Sequence, residues 1–203
     1  MSSEYDPIGG ALRGPAGVED FETVREKFAA AGRPFLSSPL GWFAWAAILP
    51  AASLATGPVW VRFGPAGVLF LWSSAILLGG LVEMLPLLRR GRREGRTLLA
   101  TWALRVQGNL SLVGAALSAA LLWHEQAGLL PALWLLLLGH SFYMLGGLAF
   151  PPFRACGLLY QGAGLLALWP RVPPLVVFAA ATALGNAWIG WGIWRLRRAD
   201  ETA

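Results

Sequence analysis

Residues 83–105 read EMLPLLRRGRREGRTLLATWALR and separate two long apolar segments of the chain. Five arginines fall within eight residues of this stretch, namely Arg89, Arg90, Arg92, Arg93 and Arg96. Short loops that are rich in lysine and arginine stay on the cytoplasmic side of a membrane. The stretch therefore predicts a cytoplasmic loop between two spans, and the side assigned to this loop fixes the orientation of every other segment.

The composition is that of a membrane protein. Of the 203 residues, 56% are hydrophobic and only 13% are charged, and the mean hydropathy is +0.57. A soluble domain carries about 25% charged residues, so this chain lacks the charge for a water-exposed surface. Its pI of about 10.3 comes from arginines in loops between apolar segments. This arrangement reports topology and does not predict nucleic-acid binding.

The first 38 residues form a leader that we expect in the cytoplasm. Residues 1–17 are rich in glycine, proline and serine, which is typical of a disordered segment. Residues 18–31 repeat apolar side chains every three or four positions, which predicts an amphipathic helix. Its apolar stripe contains Phe21, Val24 and Phe28. Two interpretations stay open: the stripe lies along the membrane or the protein's own bundle, or it docks onto a partner.

Six apolar segments are long enough to cross a membrane as helices. The first follows Ser38 and Pro39, which are typical of a helix N-cap and first turn, and Pro50 is expected to kink it. The third is expected to begin with an extension at headgroup level. The transmembrane domain covers residues 39–195, and a charged tail, 196–203, follows it. The predicted spans are 40–57, 65–88, 104–123, 129–150, 153–169 and 174–194.

The positive charges divide unequally between the two sides of this arrangement. Thirteen lysines and arginines fall on the side of the arginine-rich loop, and two, Arg62 and Arg171, fall on the other. Because the positive side is cytoplasmic, we predict both termini in the cytoplasm and the protein in a bacterial inner (plasma) membrane. The predicted fold class is all-α, a polytopic six-transmembrane-helix bundle built of three helical hairpins.

A faint internal repeat accompanies these spans. The pattern W-x-R-x-x-P occurs at residues 60–65 and again at 169–174, which are the predicted outer turns of the first and third hairpins. Two explanations stay open. Either the two hairpins arose by duplication, or two outer turns share the interfacial chemistry of tryptophan, arginine and proline.

Ionisable and amide side chains within the spans are the candidate functional residues, because they are costly in lipid. Glu83 and Arg105 flank the arginine-rich loop and are expected at similar depth, where they pair or snorkel to the interface. Alternatively, the Glu83 carboxylate controls the passage of a proton or cation. Asn109 lies on the same helix face as Arg105, and this half of the third span is expected to have little lipid exposure.

His140 is expected near the centre of the fourth span, with Tyr143 one turn away. One prediction is an interhelical hydrogen bond of His140, with Gln161 or Asn186 as its partner. A role in ligand binding or proton relay is the alternative. The neighbouring Gly139 predicts a close approach of another helix.

The sequence predicts no cofactor and no metal centre. His124 and Glu125 are neighbours at the outer end of the third span, but two candidate ligands are too few for a metal site. His124 is also about 16 Å from His140 in depth, which is too far for both to bind one haem. The chain contains no phosphate-binding loop, nucleophile elbow or HExxH motif.

Residues 131–170 contain the pattern PALWLLLLG … GGLAF … GLLYQGAGLLALWP, and residues 22–42 read ETVREKFAAAGRPFLSSPLGW. Both stretches resemble a loosely defined group of small, uncharacterised bacterial integral membrane proteins with six predicted helices. Members of this group are often encoded beside winged-helix regulators of the PadR type. The resemblance implies the six-helix architecture with its amphipathic leader. It implies no catalytic residue, and it does not extend to His140 or Tyr143.

The short loops and the apolar stripe of the leader favour a non-enzymatic protein that binds or supports a partner in the inner membrane. The expected partners are the lipid bilayer and either another membrane protein or a second copy of the chain. One alternative is a small transporter or channel subunit with a polar path of Glu83, Arg105 and His140. A second alternative is a membrane-embedded enzyme that modifies a lipid, which requires carboxylates or metal ligands gathered at one interface.

Overall fold

The computed structural model describes the backbone of residues 39–94, 98–146 and 151–202, and the side chains of residues 39–84, 105–146 and 152–199. The secondary structure of this part of the chain is entirely helical, which confirms the predicted all-α class. The helices are α1 (Pro39–Glu94), α2 (Leu98–Trp123), α3 (Leu130–Gly146), α4 (Pro151–Ala167) and α5 (Pro174–Thr202), and a 3-10 turn, Ala127–Leu129, precedes α3.

Four helical stretches are long and apolar enough to cross a membrane, as expected of a multi-pass membrane protein. These stretches are Pro39–Met84, Arg105–Trp123, Ala127–Gly146 and Pro174–Ala199. The first contains 46 residues, which is more than twice the length of one crossing. This stretch is therefore too long for a single membrane crossing.

Helix α1 is divided at Gly64 into a first arm, 39–63, and a second arm, 65–94. Gly64 has φ 64° and ψ −159°, a conformation that is essentially restricted to glycine. The two arms lie side by side, since Trp72 Nε1 donates a hydrogen bond to Thr56 Oγ1 over 3.0 Å. In a straight helix these residues would be about 24 Å apart. The loop expected between residues 57 and 65 is thus reduced to one break, because glycine alone reverses the chain.

Pro50 does not interrupt the helical dihedral angles of α1, since only Gly64 departs from them. A kink at Pro50 stays a prediction, because a proline can bend a helix that keeps helical dihedral angles. The arginine-rich stretch is also helical on its N-terminal side, since α1 continues to Glu94. Arginine is a good helix former, so a stretch rich in it can extend a span into water.

Helix α5 also extends beyond its predicted end. The charged tail expected from residue 196 is helical as far as Thr202. The guanidinium carbon of Arg198 lies 4.0 Å from the centre of the Trp194 ring. Residues four apart on a helix are neighbours, and this cation–π contact stabilises the helical continuation.

The buried core is formed by α3, α4, α5 and the first arm of α1. Trp42 of the first arm packs against Phe142 of α3 and Phe153 of α4, with ring centroids 5.8 and 5.2 Å away. Ser53 Oγ donates a hydrogen bond to the carbonyl oxygen of Leu175 over 2.8 Å, which joins the first arm to α5. The buried apolar cluster comprises Leu135, Phe142, Phe153, Cys156, Tyr160, Phe178, Ala181, Ile189 and Ile193.

Helices α3 and α4 run antiparallel and touch at glycines. A Cβ atom added at Gly139 would lie 2.8 Å from the backbone nitrogen of Gln161, and one at Gly157 would overlap the backbone of Tyr143. The two backbones therefore meet without intervening side chains, as helices in membranes do at small residues. This arrangement confirms the close approach that was predicted at Gly139.

Helix α2 lies at the edge of the structure and packs mainly against α3. The Trp134 ring of α3 lies over Gly114, where an added Cβ would be 2.6 Å from the ring. The Trp134 Nε1 atom also donates a hydrogen bond to Ser118 Oγ over 3.1 Å. The opposite face of α2 is exposed, so one helix of the chain presents most of its surface to its surroundings.

Candidate functional site

Glu83 lies between the two arms of α1. Its Oε2 atom accepts a hydrogen bond from Trp45 Nε1 over 2.9 Å. A Cβ atom added at Gly41 would be 3.5 Å from the Cα atom of Glu83, so the first arm runs close beside this carboxylate. The pair expected between Glu83 and Arg105 is absent from the described side chains. The reason is that Glu83 turns towards the first arm, whereas α2 packs mainly against α3.

The polar half of α2 carries mostly exposed side chains. Arg105, Asn109 and Ser111 are all exposed. Only Gln107 turns inwards, where its Oε1 atom accepts a hydrogen bond from Ser141 Oγ of α3 over 3.4 Å. Within the described part of the chain α2 has a neighbour mainly on one face, and the expectation of little lipid exposure here stays a prediction.

His140 points outwards from α3. Its side chain is exposed, and it shares its face with Met144, which is 58% exposed. Neither Gln161 nor Asn186 forms the predicted hydrogen bond with His140, although all three side chains are described. Gly139 is the residue that faces α4, so the next residue, turned by about 100° around the helix axis, faces away.

Tyr143 pairs with Arg154 at the facing ends of α3 and α4. The Arg154 guanidinium donates a hydrogen bond to the Tyr143 hydroxyl over 3.1 Å, and its central carbon lies 5.1 Å from the centre of the Tyr143 ring. Tyr143 therefore pairs with a charged side chain on the next helix.

Asn186 is buried in α5, and its side chain forms a hydrogen bond within the same helix. Its Nδ2 atom donates a hydrogen bond to the Thr182 carbonyl oxygen over 2.9 Å. Thr182 in turn donates its hydroxyl proton to the carbonyl oxygens of Phe178 and Ala179, over 2.8 and 3.2 Å. These side chains form their hydrogen bonds with the backbone of their own helix, which allows a membrane helix to hold polar residues in a core.

A buried pair that the sequence analysis did not identify lies in α4. Tyr160 is 1% exposed and Cys156, one turn earlier, is 3% exposed. Both pack against Gly185 of α5, where an added Cβ would be 2.6 Å from the Cys156 sulfur and would overlap the Tyr160 ring. The Tyr160 hydroxyl is buried without a hydrogen-bond partner among the described residues. In the sequence, the four-residue spacing of Cys156 and Tyr160 places both on one helix face and could have indicated this pair.

No group of three or more metal-ligating side chains occurs in the part of the chain that the structure describes. His124 and Glu125 are exposed in the turn after α2, and Glu125 has a φ of 60°. The prediction that the chain needs no cofactor stays a prediction.

Two sets of predicted residues fall outside the described side chains. One set is the leader stripe of Phe21, Val24 and Phe28. The other set comprises the topology-determining arginines Arg89, Arg90, Arg92, Arg93 and Arg96. Their predicted roles in docking and in orientation therefore stay predictions.

Four of the described candidate residues lie in three separate places. Glu83 is between the arms of α1, Asn186 is buried in α5, and Asn109 and His140 are on the outer surface of α2 and α3. No hydrogen bond joins either of the last two to another described residue. Comparison of the chain with protein-family models, with curated proteins and with solved structures found no match.

Proposed function

We propose that the chain crosses the inner membrane six times, as three helical hairpins, with both termini in the cytoplasm. Antiparallel contacts between the arms of α1, between α2 and α3, and between α4 and α5 support this arrangement. Helix α4 has 17 residues, so its length is about 26 Å, close to the thickness of the hydrocarbon core. The charge bias of the loops supports the orientation.

Cysteine labelling on intact cells tests this topology. The single native cysteine, Cys156, is buried and would be replaced by alanine. A membrane-impermeant maleimide is expected to label Gly128→Cys in the predicted outer turn, and to label Leu196→Cys only after the cells are opened. Both positions are exposed, so they form a matched pair. Equal labelling of the two in intact cells would contradict the proposed orientation.

We further propose that the protein is a non-enzymatic partner-binding or accessory subunit in the membrane. The observation that carries this proposal is the outward position of Asn109 and His140. His140 lies ten residues after the start of α3, which corresponds to about 15 Å along the helix axis and therefore to the membrane interior.

Lipid chains cannot satisfy such side chains. A polar group without a hydrogen bond in hydrocarbon is costly, whereas Asn and His side chains form hydrogen bonds across membrane helices readily. A second membrane-spanning surface against α2 and α3 would supply these bonds. The leader stripe of Phe21, Val24 and Phe28 is proposed as a further docking surface on the cytoplasmic side.

Native mass spectrometry of the protein gently extracted from its host membrane tests the partner proposal. We expect the 21.8 kDa subunit to carry added mass that corresponds to one or more whole protein chains. His140→Leu is expected to weaken this association, whereas Met144→Leu, on the same exposed face, is expected to leave it unchanged.

Other masses would contradict the proposal. A subunit that is detected only by itself under these conditions would remove the support for a protein partner. Added mass of a few hundred daltons would instead indicate a small molecule bound near these side chains. The transporter or ligand-binding alternative would then replace the partner-binding function.

A further inference from the structure

The exposed face of α2 carries a regular seam of six residues. The seam residues recur at spacings of four, three, four, three and four, and each of them is exposed. Leu112 is 69% exposed and Trp123 is 85% exposed. We define the α2 seam as Arg105, Asn109, Leu112, Ala116, Ala119 and Trp123.

The α2 seam lies opposite the contact with α3. Gly114 and Ser118 face Trp134 of α3, and Ala116 is two residues from each of them, about 200° around the helix. Asn109 is likewise two residues from Gln107, which bonds to Ser141 of α3. The seam is therefore the face of α2 that the described residues of the chain leave uncovered.

Residues at alternating spacings of four and three lie along one face of any α-helix, so the α2 seam is a continuous strip that a nearly parallel neighbour can contact along its length. Ala116 and Ala119 stand in the middle of the seam, and small residues let membrane helices approach closely. Leu112 and Trp123 supply the larger side chains on either side.

Asn109 is the polar member of the seam within the membrane. It is 14 residues before Trp123, which places it about 21 Å along the helix axis from that end and inside a hydrocarbon core of about 30 Å. Its amide has both a donor and an acceptor. Two such amides that face each other can exchange hydrogen bonds, so Asn109 is complementary to itself.

We propose that the α2 seam binds the α2 seam of a second copy of this chain, with the two Asn109 side chains hydrogen-bonded to each other. This inference rests on the proposed partner-binding function and names the partner at Asn109; His140 lies on α3, outside the α2 seam. All copies have the same orientation in the membrane, so a symmetric dimer has a two-fold axis along the membrane normal and parallel α2 helices. Each seam residue then meets its own counterpart at equal depth. A single buried asparagine is known to fix register in paired helices.

The positive end of the seam is compatible with this dimer. Arg105 lies at the end of the apolar stretch Arg105–Trp123. A long arginine side chain at such a position extends to the headgroup region, where lipid phosphates separate the two charges. The repulsion between the two guanidinium groups therefore stays small.

Disulfide cross-linking in native host membranes tests the geometry. In a Cys156→Ala background, cysteines would be introduced singly at Ala116 and, as matched controls, at Ala115 and Leu117. These controls are also exposed but lie about 100° to either side of the seam. With an added copper oxidant, Ala116→Cys is expected to give a covalent species of twice 21.8 kDa much more efficiently than either control.

The other outcomes of the cross-linking would overturn the proposal in whole or in part. Equal cross-linking at the three positions, or none at Ala116, would overturn the α2 seam as a dimer interface. A cross-linked species that contains a different protein would overturn the second copy as the partner while supporting the partner-binding function. If native mass spectrometry also finds the subunit alone, both proposals fail.

A dilution experiment in lipid vesicles tests the role of Asn109. Fluorescence energy transfer between labelled copies would measure the dimer dissociation constant. Asn109→Leu is expected to raise this constant about three- to fifteen-fold, and Asn109→Gln is expected to restore part of the affinity. Ser111→Leu changes an exposed polar residue outside the seam and is expected to have no effect. An unchanged constant in Asn109→Leu would overturn the proposed amide pair.

Discussion

Trp45 Nε1 and Glu83 Oε2 lie 2.9 Å apart although 38 residues separate them in the chain. The same indole covers Gly79, where an added Cβ would overlap the ring. One tryptophan of the first arm of α1 therefore holds the second arm by a hydrogen bond and by packing. Together with the hydrogen bond from Trp72 to Thr56, this contact holds the two arms against each other.

Glu83→Leu is expected to destabilise the pair of arms, because Trp45 loses its acceptor. The expected loss in the free energy of unfolding is about 1 kcal/mol. Glu83→Gln retains an acceptor oxygen and is expected to stay closer to the wild type. Thermal unfolding in detergent would measure both variants, with Trp45→Phe as the complementary change. Equal losses for Gln and Leu would contradict the role of the hydrogen bond.

Gly157→Ala is expected to destabilise the contact between α3 and α4. The added methyl group overlaps the Tyr143 backbone, which cannot move without displacing its helix, and overpacking costs about 1–3 kcal/mol. Gly162→Ala, on the same helix, meets no atom within 4 Å and is expected to be neutral or slightly stabilising. The two melting temperatures would measure the difference. If both variants melt alike, the close approach at Gly157 does not limit stability.

Gly114→Leu is expected to detach α2 from α3 while leaving the other helices folded. A leucine side chain cannot fit beneath the Trp134 ring, and α2 has little other contact. Hydrogen exchange followed by mass spectrometry should then show faster exchange of α2 amides alone. Gly108→Leu introduces the same side chain at a position that is open within 4 Å, so its exchange should match the wild type. Faster exchange throughout the chain would contradict a separable α2.

Tyr160→Phe is expected to be neutral or stabilising by about 1 kcal/mol. The variant removes a buried hydroxyl that has no hydrogen-bond partner in the described chain, and such a group costs free energy in the folded state. Thr182→Val is the contrasting control, because the Thr182 hydroxyl is bonded to the Phe178 carbonyl oxygen. Chemical unfolding in detergent would compare the two. A clear loss of stability in Tyr160→Phe would mean that a buried water or ligand bonds to this hydroxyl.

The sequence predicted helix positions better than it predicted side-chain partners. Pro39, Trp123 and Pro174 mark helix ends in the structure as expected, because proline at a first turn and tryptophan at an interface act locally. The arginine-rich stretch was expected to be a loop, and it is helical to Glu94, because charge reports the side of the membrane and not the backbone conformation.

The candidate site depended on rotation about each helix axis, which hydropathy does not reveal. His140 was expected to face the bundle, and it faces outwards because Gly139 takes the contact with α4. Glu83 was matched with Arg105 by depth alone, whereas its partner is Trp45 on the neighbouring arm. A chain of mostly apolar helices gives little contrast between its inner and outer faces, so periodicity could not resolve these two cases.

Ser53 and Leu175, which share a hydrogen bond, are 122 residues apart in the chain. During synthesis this separation delays the formation of the bond. At a translation rate of about 5–20 residues per second, the ribosome needs about 6–24 s to go from one residue to the other. The two arms of α1 can meet much earlier, since Gly64 turns the chain and Trp45 finds Glu83 after only 38 residues. We therefore expect the two arms of α1 to pair first during synthesis, and the face of Ser53 that contacts α5 to stay uncovered by that helix throughout this interval.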